Sequence, residues 1–163
     1  MTPKERIGIS EYKTGTAPDT LVTYGLGSCL GIVLYDLGSK SGGMAHTLLP
    51  EPRPGMAIER KTKFVTTAIQ LMLEDLVAMG CLKKNLVAKL FGGATMFSGL
   101  QSPDKETIGQ RNIRVARETL ADLEIPIIAE DTGGRFGRTL VFDLDSGQVM
   151  VRSVREDKKE QYF

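Results

Sequence analysis

Short apolar segments cut apart by glycine turns, beside only two stretches periodic enough to be long helices, restrict this chain more than any other feature. Leu21–Leu26, Leu30–Tyr35, Leu86–Phe91, Ile125–Ala129, Thr139–Leu144 and Gln148–Ser153 are each long enough for a strand and too short for a helix. Ile7–Ser10 alternates apolar with small or polar residues, as a half-buried strand does. Asp36–Gly43 reads as a turn leading into an apolar run, Met44–Leu49, and Pro50, Pro52 and Pro54 mark a loop. Asp145, Ser146 and Gly147 are hairpin-turn residues between the last two strands.

The helices stand out by their period. Over Glu59–Met79, the residues Val65, Ala68, Met72, Leu76 and Met79 return at helical spacing, and Gly80 supplies a stop. Over Ile108–Leu123, the residues Ile113, Ala116, Leu120 and Leu123 share one face. Because the helices do not alternate regularly with strands, a doubly wound parallel sheet is disfavoured. The expected fold is α/β: a layered α/β sandwich of mostly antiparallel or mixed sheets with two main helices. One domain over residues 1–163 is expected, with a charged tail at about 155–163 that frays or serves as an arm for a partner.

A net charge of +1 gives no bulk attraction to nucleic acid or anionic lipid, and no apolar run is long enough for membrane insertion. The start, MTPKERIGIS, has no apolar signal region, and two cysteines do not make a disulfide framework, so a reducing, cytoplasmic setting is expected.

The chain has one histidine, His46, in GGMAHTLLP, so any Cys–His or Ser–His chemistry must use it. Cys29, in TYGLGSCLG, is the favoured nucleophile. Gly25, Gly27 and Gly31 let the backbone bend there and come close to a substrate, and amides near Gly27 and Ser28 are oxyanion-hole or pocket candidates. A free thiol is only a few per cent ionised near neutrality, and an adjacent imidazole raises its reactivity. Spacing alone does not place Cys29 beside His46, and cysteine is also a common buried hydrophobe. Cys81 competes, at a helix end beside Lys83 and Lys84, but has no glycine-rich pocket. One histidine and two distant cysteines make a poor metal set, so no metal is expected. In EDTGGRFGR, Arg135 and Arg138 are candidates for touching an acidic partner, while Glu130 and Asp131 are read as turn caps.

TYGLGSCLGIVLYD, GGMAHTLLP, LFGGATMF, IGQRN and AEDTGGRFGR, in this order, resemble the CheD family of chemoreceptor glutamine deamidases over nearly the whole chain. The resemblance implies a Cys–His–Thr triad, matched here by Cys29, His46 and Thr23, and an α/β sandwich similar to the catalytic domain of a deamidating toxin. It implies no cofactor. It implies glutamine side chains of chemotaxis receptors (methyl-accepting chemotaxis proteins) as substrate, receptor methylesterase activity as a related reaction, and the phosphatase CheC as a regulating partner. Thr23 and Cys29 share a face only if the intervening turn preserves strand alternation. Phe97, or Met96 beside it, is a candidate apolar anchor for a partner helix. Two other classes suit the same residues: a non-catalytic chemotaxis adaptor acting on CheC or receptors, and a cysteine peptidase-like amide hydrolase.

Overall fold

The computed structural model describes residues 4–56, 60–96, 105–153 and 160–163. Among these residues ten strands form two sheets: β1 (Lys4–Arg6), β2 (Glu11–Thr16), β3 (Thr20–Leu26), β4 (Leu30–Asp36), β5 (Ser41–Thr47), β6 (Val87–Gly92), β7 (Ile127–Thr132), β8 (Arg138–Asp143), β9 (Val149–Ser153) and β10 (Glu160–Tyr162). One sheet runs β1-β3-β8-β9-β10 and the other β2-β5-β4-β6-β7. Each holds one parallel pair, β1 with β3 and β6 with β7, and the remaining pairs are antiparallel. Helices α1 (Val65–Ala78) and α2 (Ile108–Asp122) cover the outer face of the second sheet. The fold is therefore the expected layered α/β sandwich of mixed sheets.

The centre of the second sheet explains the least ambiguous strand in the sequence. In β4, Leu30, Ile32 and Leu34 face the helices, while Val33 and Tyr35 face the other sheet. Both faces are covered, so all seven residues are buried and the segment is a continuous apolar run. The pair Gly42–Gly43, which the sequence suggested was a flexible turn, lies inside β5. A Cβ at Gly42 would sit 2.5 Å from the Leu34 carbonyl oxygen, and one at Gly43 would sit 2.9 Å from the sulfur of Met72. These glycines are there for close packing, and the turn shrinks to Leu37–Lys40.

Helix α1 buries Val65, Ala68, Ile69, Met72, Leu73 and Leu76, and each of these larger than alanine stabilises the fold by about 1.5–3 kcal/mol when fully buried. It begins at Val65 and not near Glu59, which lies outside the described residues. Phe64 is held extended in a bridge with Leu49, and only a 3-10 turn, Lys61–Lys63, precedes it. Gly80, with φ +101°, ends the helix as expected, but Met79 is exposed and not part of the buried stripe. Helix α2 starts where a capping box closes: Thr107 Oγ1 accepts from the Gln110 amide at 3.1 Å, and Gln110 Oε1 accepts from the Thr107 amide at 2.8 Å.

Two further expectations change. Ile7–Ser10 is not a strand but the connection carrying the chain from β1 in the first sheet to β2 in the second, with Ser10 at φ 63°. The end of the charged tail does not fray. Glu160–Tyr162 pairs with β9, and Phe163 exchanges two 2.9 Å backbone hydrogen bonds with Val149 and packs edge-on against Phe91.

Candidate functional site

The loop joining β3 to β4, Gly27-Ser28-Cys29, crosses from one sheet to the other at the end of the sandwich. Its three successive carbonyls are all held from behind. Gly27 O accepts from the Ala94 amide, Ser28 O from Asn112 Nδ2 and Cys29 O from the Gly93 amide, each at 2.9 Å. Close backbone contact makes this possible. A Cβ on Gly92 would lie 2.5 Å from Cys29 O, and one on Gly109 would lie 2.4 Å from the carbonyl oxygens of both Gly93 and Ala94. The glycines of LFGGATMF and IGQRN are thus the bed on which the Cys29 loop and the start of α2 rest. On the open side, the Gly27 amide turns to Gly25 O at 3.1 Å, whereas the Ser28 amide has no acceptor among the described residues.

His46 is wholly buried in β5, and its Nδ1 lies 2.7 Å from Thr23 Oγ1. Thr23 stands on β3, so this contact spans the two sheets. The threonine does not share a sheet face with Cys29 through preserved alternation; the β3–β4 turn changes sheets instead. The hydroxyl of Thr23 also donates to Ile7 O at 2.8 Å. A hydroxyl has one hydrogen, so with it committed to Ile7 the imidazole must donate from Nδ1, which leaves Nε2 as a bare lone pair. Nε2 is buried and has no protein partner among the described residues. A buried polar atom left unpaired costs about 1–3 kcal/mol and calls for an explanation. The Ile7–Ser10 connection secures both members of the pair, since the Ser10 amide donates to His46 O at 2.8 Å.

Cys29 immediately precedes β4. In the β4–β5 ladder Gly31 is opposite His46 and Leu30 opposite Thr47. Extending that register by one residue puts Cys29 on the His46 side of the sheet and diagonal to it, a relation with Cα atoms about 7–8 Å apart. Cys29 belongs to the apolar cluster between the sheets, with Val33, Met44 and Leu140, the layer that His46 and Thr23 also enter. Burial pushes the Cys29 thiol up, against a smaller opposing pull from its own amide, and burial pushes His46 down to about 4. The resting pair is therefore a neutral thiol and a neutral imidazole. The acid limb of kcat/KM for any reaction using His46 as base is expected near pH 4, not near the ordinary 6.5, which a pH–rate profile checks. Stability follows the same proton. Between pH 6.5 and about 4 the unfolded chain holds a proton on His46 that the folded chain does not, so this group makes stability fall as pH drops through that window.

A cavity of about 210 Å³ opens beside the loop, lined by Ser28, Thr95, Met96, Thr107 and Ile108 among others. Met96 is partly exposed and lies 3.5 Å from where a Gly27 Cβ would be. Phe97 lies outside the described residues. Cys81 is on the other side of the second sheet, buried in the helix-facing cluster with its sulfur 3.8 Å from Ser39 Oγ, so the sheet separates it from His46. Arg138 is not available to an acidic partner: it is buried and ion-paired with Asp131 at 3.1 Å. Glu130 and Asp131 are not turn caps but β7 residues, Glu130 bonding Arg117 at 2.9 Å. Among the described residues no three His, Cys, Asp or Glu side chains cluster as a metal would require, and no helix is long and apolar enough to cross a membrane. Sequence reasoning missed two participants, Ile7 and Asn112. Asn112 was legible only as part of the IGQRN motif, and Ile7 gave no signal because it contributes a backbone carbonyl.

A buried histidine braced across two sheets, and a cysteine on a glycine-bedded loop that enters the same layer between the sheets, make a candidate cysteine–histidine–threonine site at the end of an α/β sandwich. A family model described as CheD chemotactic sensory transduction matches residues 48–153. The chain is 50% identical over 155 residues to a probable chemoreceptor glutamine deamidase CheD 2 of Geobacter metallireducens, covering 94% of this chain and 96% of that one. It is 46% identical to a probable chemoreceptor glutamine deamidase CheD of Pyrococcus abyssi, with 94% of each chain covered. It is 42% identical to the chemoreceptor glutamine deamidase CheD of Halalkalibacterium halodurans, over 98% of this chain and 99% of that one. This chain belongs to the CheD family. The family match begins at Leu48, past Thr23, Cys29 and His46, so it is the near-full-length relatives that span the site.

Proposed function

We propose that this protein deamidates glutamine side chains of chemotaxis receptors through a thioester on Cys29. The observation that carries the reading is the unpaired, buried Nε2 of His46, made a base by the Thr23–Ile7 hydrogen bonding of its Nδ1 side. His46 Nε2 takes the Cys29 thiol proton as sulfur attacks the carboxamide carbon. The oxyanion is met by the amides of Ser28 and Cys29, with the Gly27 amide already engaged within the loop. The imidazolium passes its proton to the departing ammonia, leaving the thioester. His46 then takes a proton from water, hydroxide adds to the thioester carbon, and the thiolate leaves and is reprotonated, giving glutamate. Thr23 orients the imidazole throughout. A glutamyl methyl ester forms the same thioester with methanol leaving, so methylesterase activity belongs to the same site. Regulation by CheC is part of this reading, on the family resemblance alone.

The test is mass spectrometry of receptor helical fragments incubated with the protein. Exchange of NH2 for OH raises the mass by about one unit per glutamine and leaves the main chain whole. Cleaved fragments would instead indicate a peptidase, and unmodified fragments that nonetheless bind would indicate an adaptor.

A further inference from the structure

The buried side chain of Asn112 joins the Cys29 loop to the residues that follow the strand carrying His46. It lies in the second turn of α2 and is fully buried. Its Nδ2 donates to two carbonyls at once, to Ser28 O at 2.9 Å and to Leu48 O at 3.3 Å. Ser28 directly precedes Cys29, and Leu48 lies two residues after His46 at the exit of β5. Extended by one residue beyond the Leu30–Thr47 pair, the β4–β5 register would set Leu48 opposite Cys29. The two hydrogens of one amide group therefore bridge the point where β4 and β5 stop pairing. The orientation of the amide follows from its neighbours, because only an NH2 group serves two carbonyl acceptors. Its Oδ1 is buried with no partner among the described residues, a cost accepted at this position because an apolar residue would take the donor away from both the Ser28 and the Leu48 carbonyls.

We infer that Asn112 is a positioning residue for the reaction: by tying Ser28 O to Leu48 O it holds the Cys29 thiol in register with His46. Its side-chain bonds go to backbone carbonyls and not to the sulfur or the imidazole, so it acts through the two backbones. The inference rests on the proposed Cys29–His46 chemistry and adds to it the element that aligns the pair. Without the tie, Leu30 still pairs with Thr47, whose Oγ1 donates to Leu30 O at 3.2 Å, but Ser28, on the far side of Cys29, loses its link to the exit of β5, and the loop keeps only its backbone bonds to Gly93 and Ala94. A displacement of about 1 Å between nucleophile and base costs about 100-fold in rate.

The test measures ammonia release from a glutamine-bearing receptor fragment by wild type, Asn112→Ala, Asn112→Asp, Leu120→Ala, His46→Ala, Cys29→Ala and the Asn112→Ala/His46→Ala double variant, each at a temperature where circular dichroism shows it folded. Leu120, buried on the same helix with no polar contact, controls for lost stability. Asn112→Ala is expected to lower kcat about 100-fold with KM within about twofold, and Asn112→Asp, which keeps the shape but aims oxygens at two carbonyls, at least as much. Leu120→Ala is expected to lower Tm but leave kcat within about threefold. In the His46→Ala background the Asn112→Ala change should cost less than about threefold, since there is no longer a base to align with. The inference is overturned by near-wild-type kcat in folded Asn112→Ala, by an equal loss in both backgrounds, or by a matching loss in Leu120→Ala. Full activity in Cys29→Ala would instead overturn the chemistry on which it rests.

Discussion

Replacing Cys29 by alanine is expected to abolish deamidation, lowering kcat by at least about 10⁴-fold, while the protein remains folded. The change removes one sulfur from a residue that already behaves as a small buried hydrophobe, and the loop around it is held by carbonyl bonds that do not involve the side chain. The melting temperature should therefore move little, with a cost of about 1 kcal/mol or less. Cys81→Ala is the matched comparison: it is expected to lower stability, because Cys81 is part of the helix-side core, and to leave turnover intact. Ammonia release and a thermal melt on both variants decide. Retained turnover in Cys29→Ala would move the chemistry elsewhere in the chain.

The fold was most legible where one segment fixes its own environment. β4 is apolar at every position because it is covered on both faces, and α2 announces itself by the spacing of Ile113, Ala116 and Leu120. Segments whose state depends on distant partners were misread. Ile7–Ser10 alternates like a strand, yet its amides and carbonyls are used to bind Thr23 and His46 and to change sheets. Residues 160–163 look like a charged tail, but Phe163 closes over Phe91, and Lys89 donates to its carbonyl oxygen at 2.9 Å. Gly42 and Gly43 have the composition of a hinge, and only the neighbouring Leu34 and Met72 show that they are close-packing positions.

The site divides in the same way. His46 is proposed by elimination, as the one histidine of the whole chain, and Cys29 from the glycines around it, both readable without knowing the fold. Thr23 came only through the family resemblance, since no spacing rule tells which sheet β3 enters. Ile7 and Asn112 act through backbone carbonyls, theirs or those of others, and a carbonyl has no residue signature. What the structure adds is therefore mainly the support for the proposed reacting groups: three pinned carbonyls behind Cys29 and one committed hydroxyl behind His46.

That committed hydroxyl makes the threonine variants unequal, and they separate orientation from chemistry. His46→Ala removes the proposed base and is expected to cost about 10⁴-fold in kcat. Thr23→Val keeps the shape but offers Nδ1 no acceptor and leaves Ile7 O without its donor, so the imidazole loses both its preferred tautomer and its anchor. A loss of about 10²-fold is expected, smaller than that of His46→Ala because the base remains. Thr23→Ser, which restores the hydroxyl, should recover most of the activity. The order wild type, Thr23→Ser, Thr23→Val, His46→Ala is the expected result in kcat, with imidazole nitrogen shifts in NMR reporting Nδ1–H in wild type and a mixture in Thr23→Val. Thr23 also belongs to a buried strand where a β-branched residue is favoured in its own right, which is why valine and not alanine is the informative change. Equal losses in Thr23→Val and His46→Ala at matched stability would show that the hydroxyl takes part in the chemistry directly. A fully active Thr23→Val would show that the 2.7 Å contact holds the two sheets together and does nothing for the base.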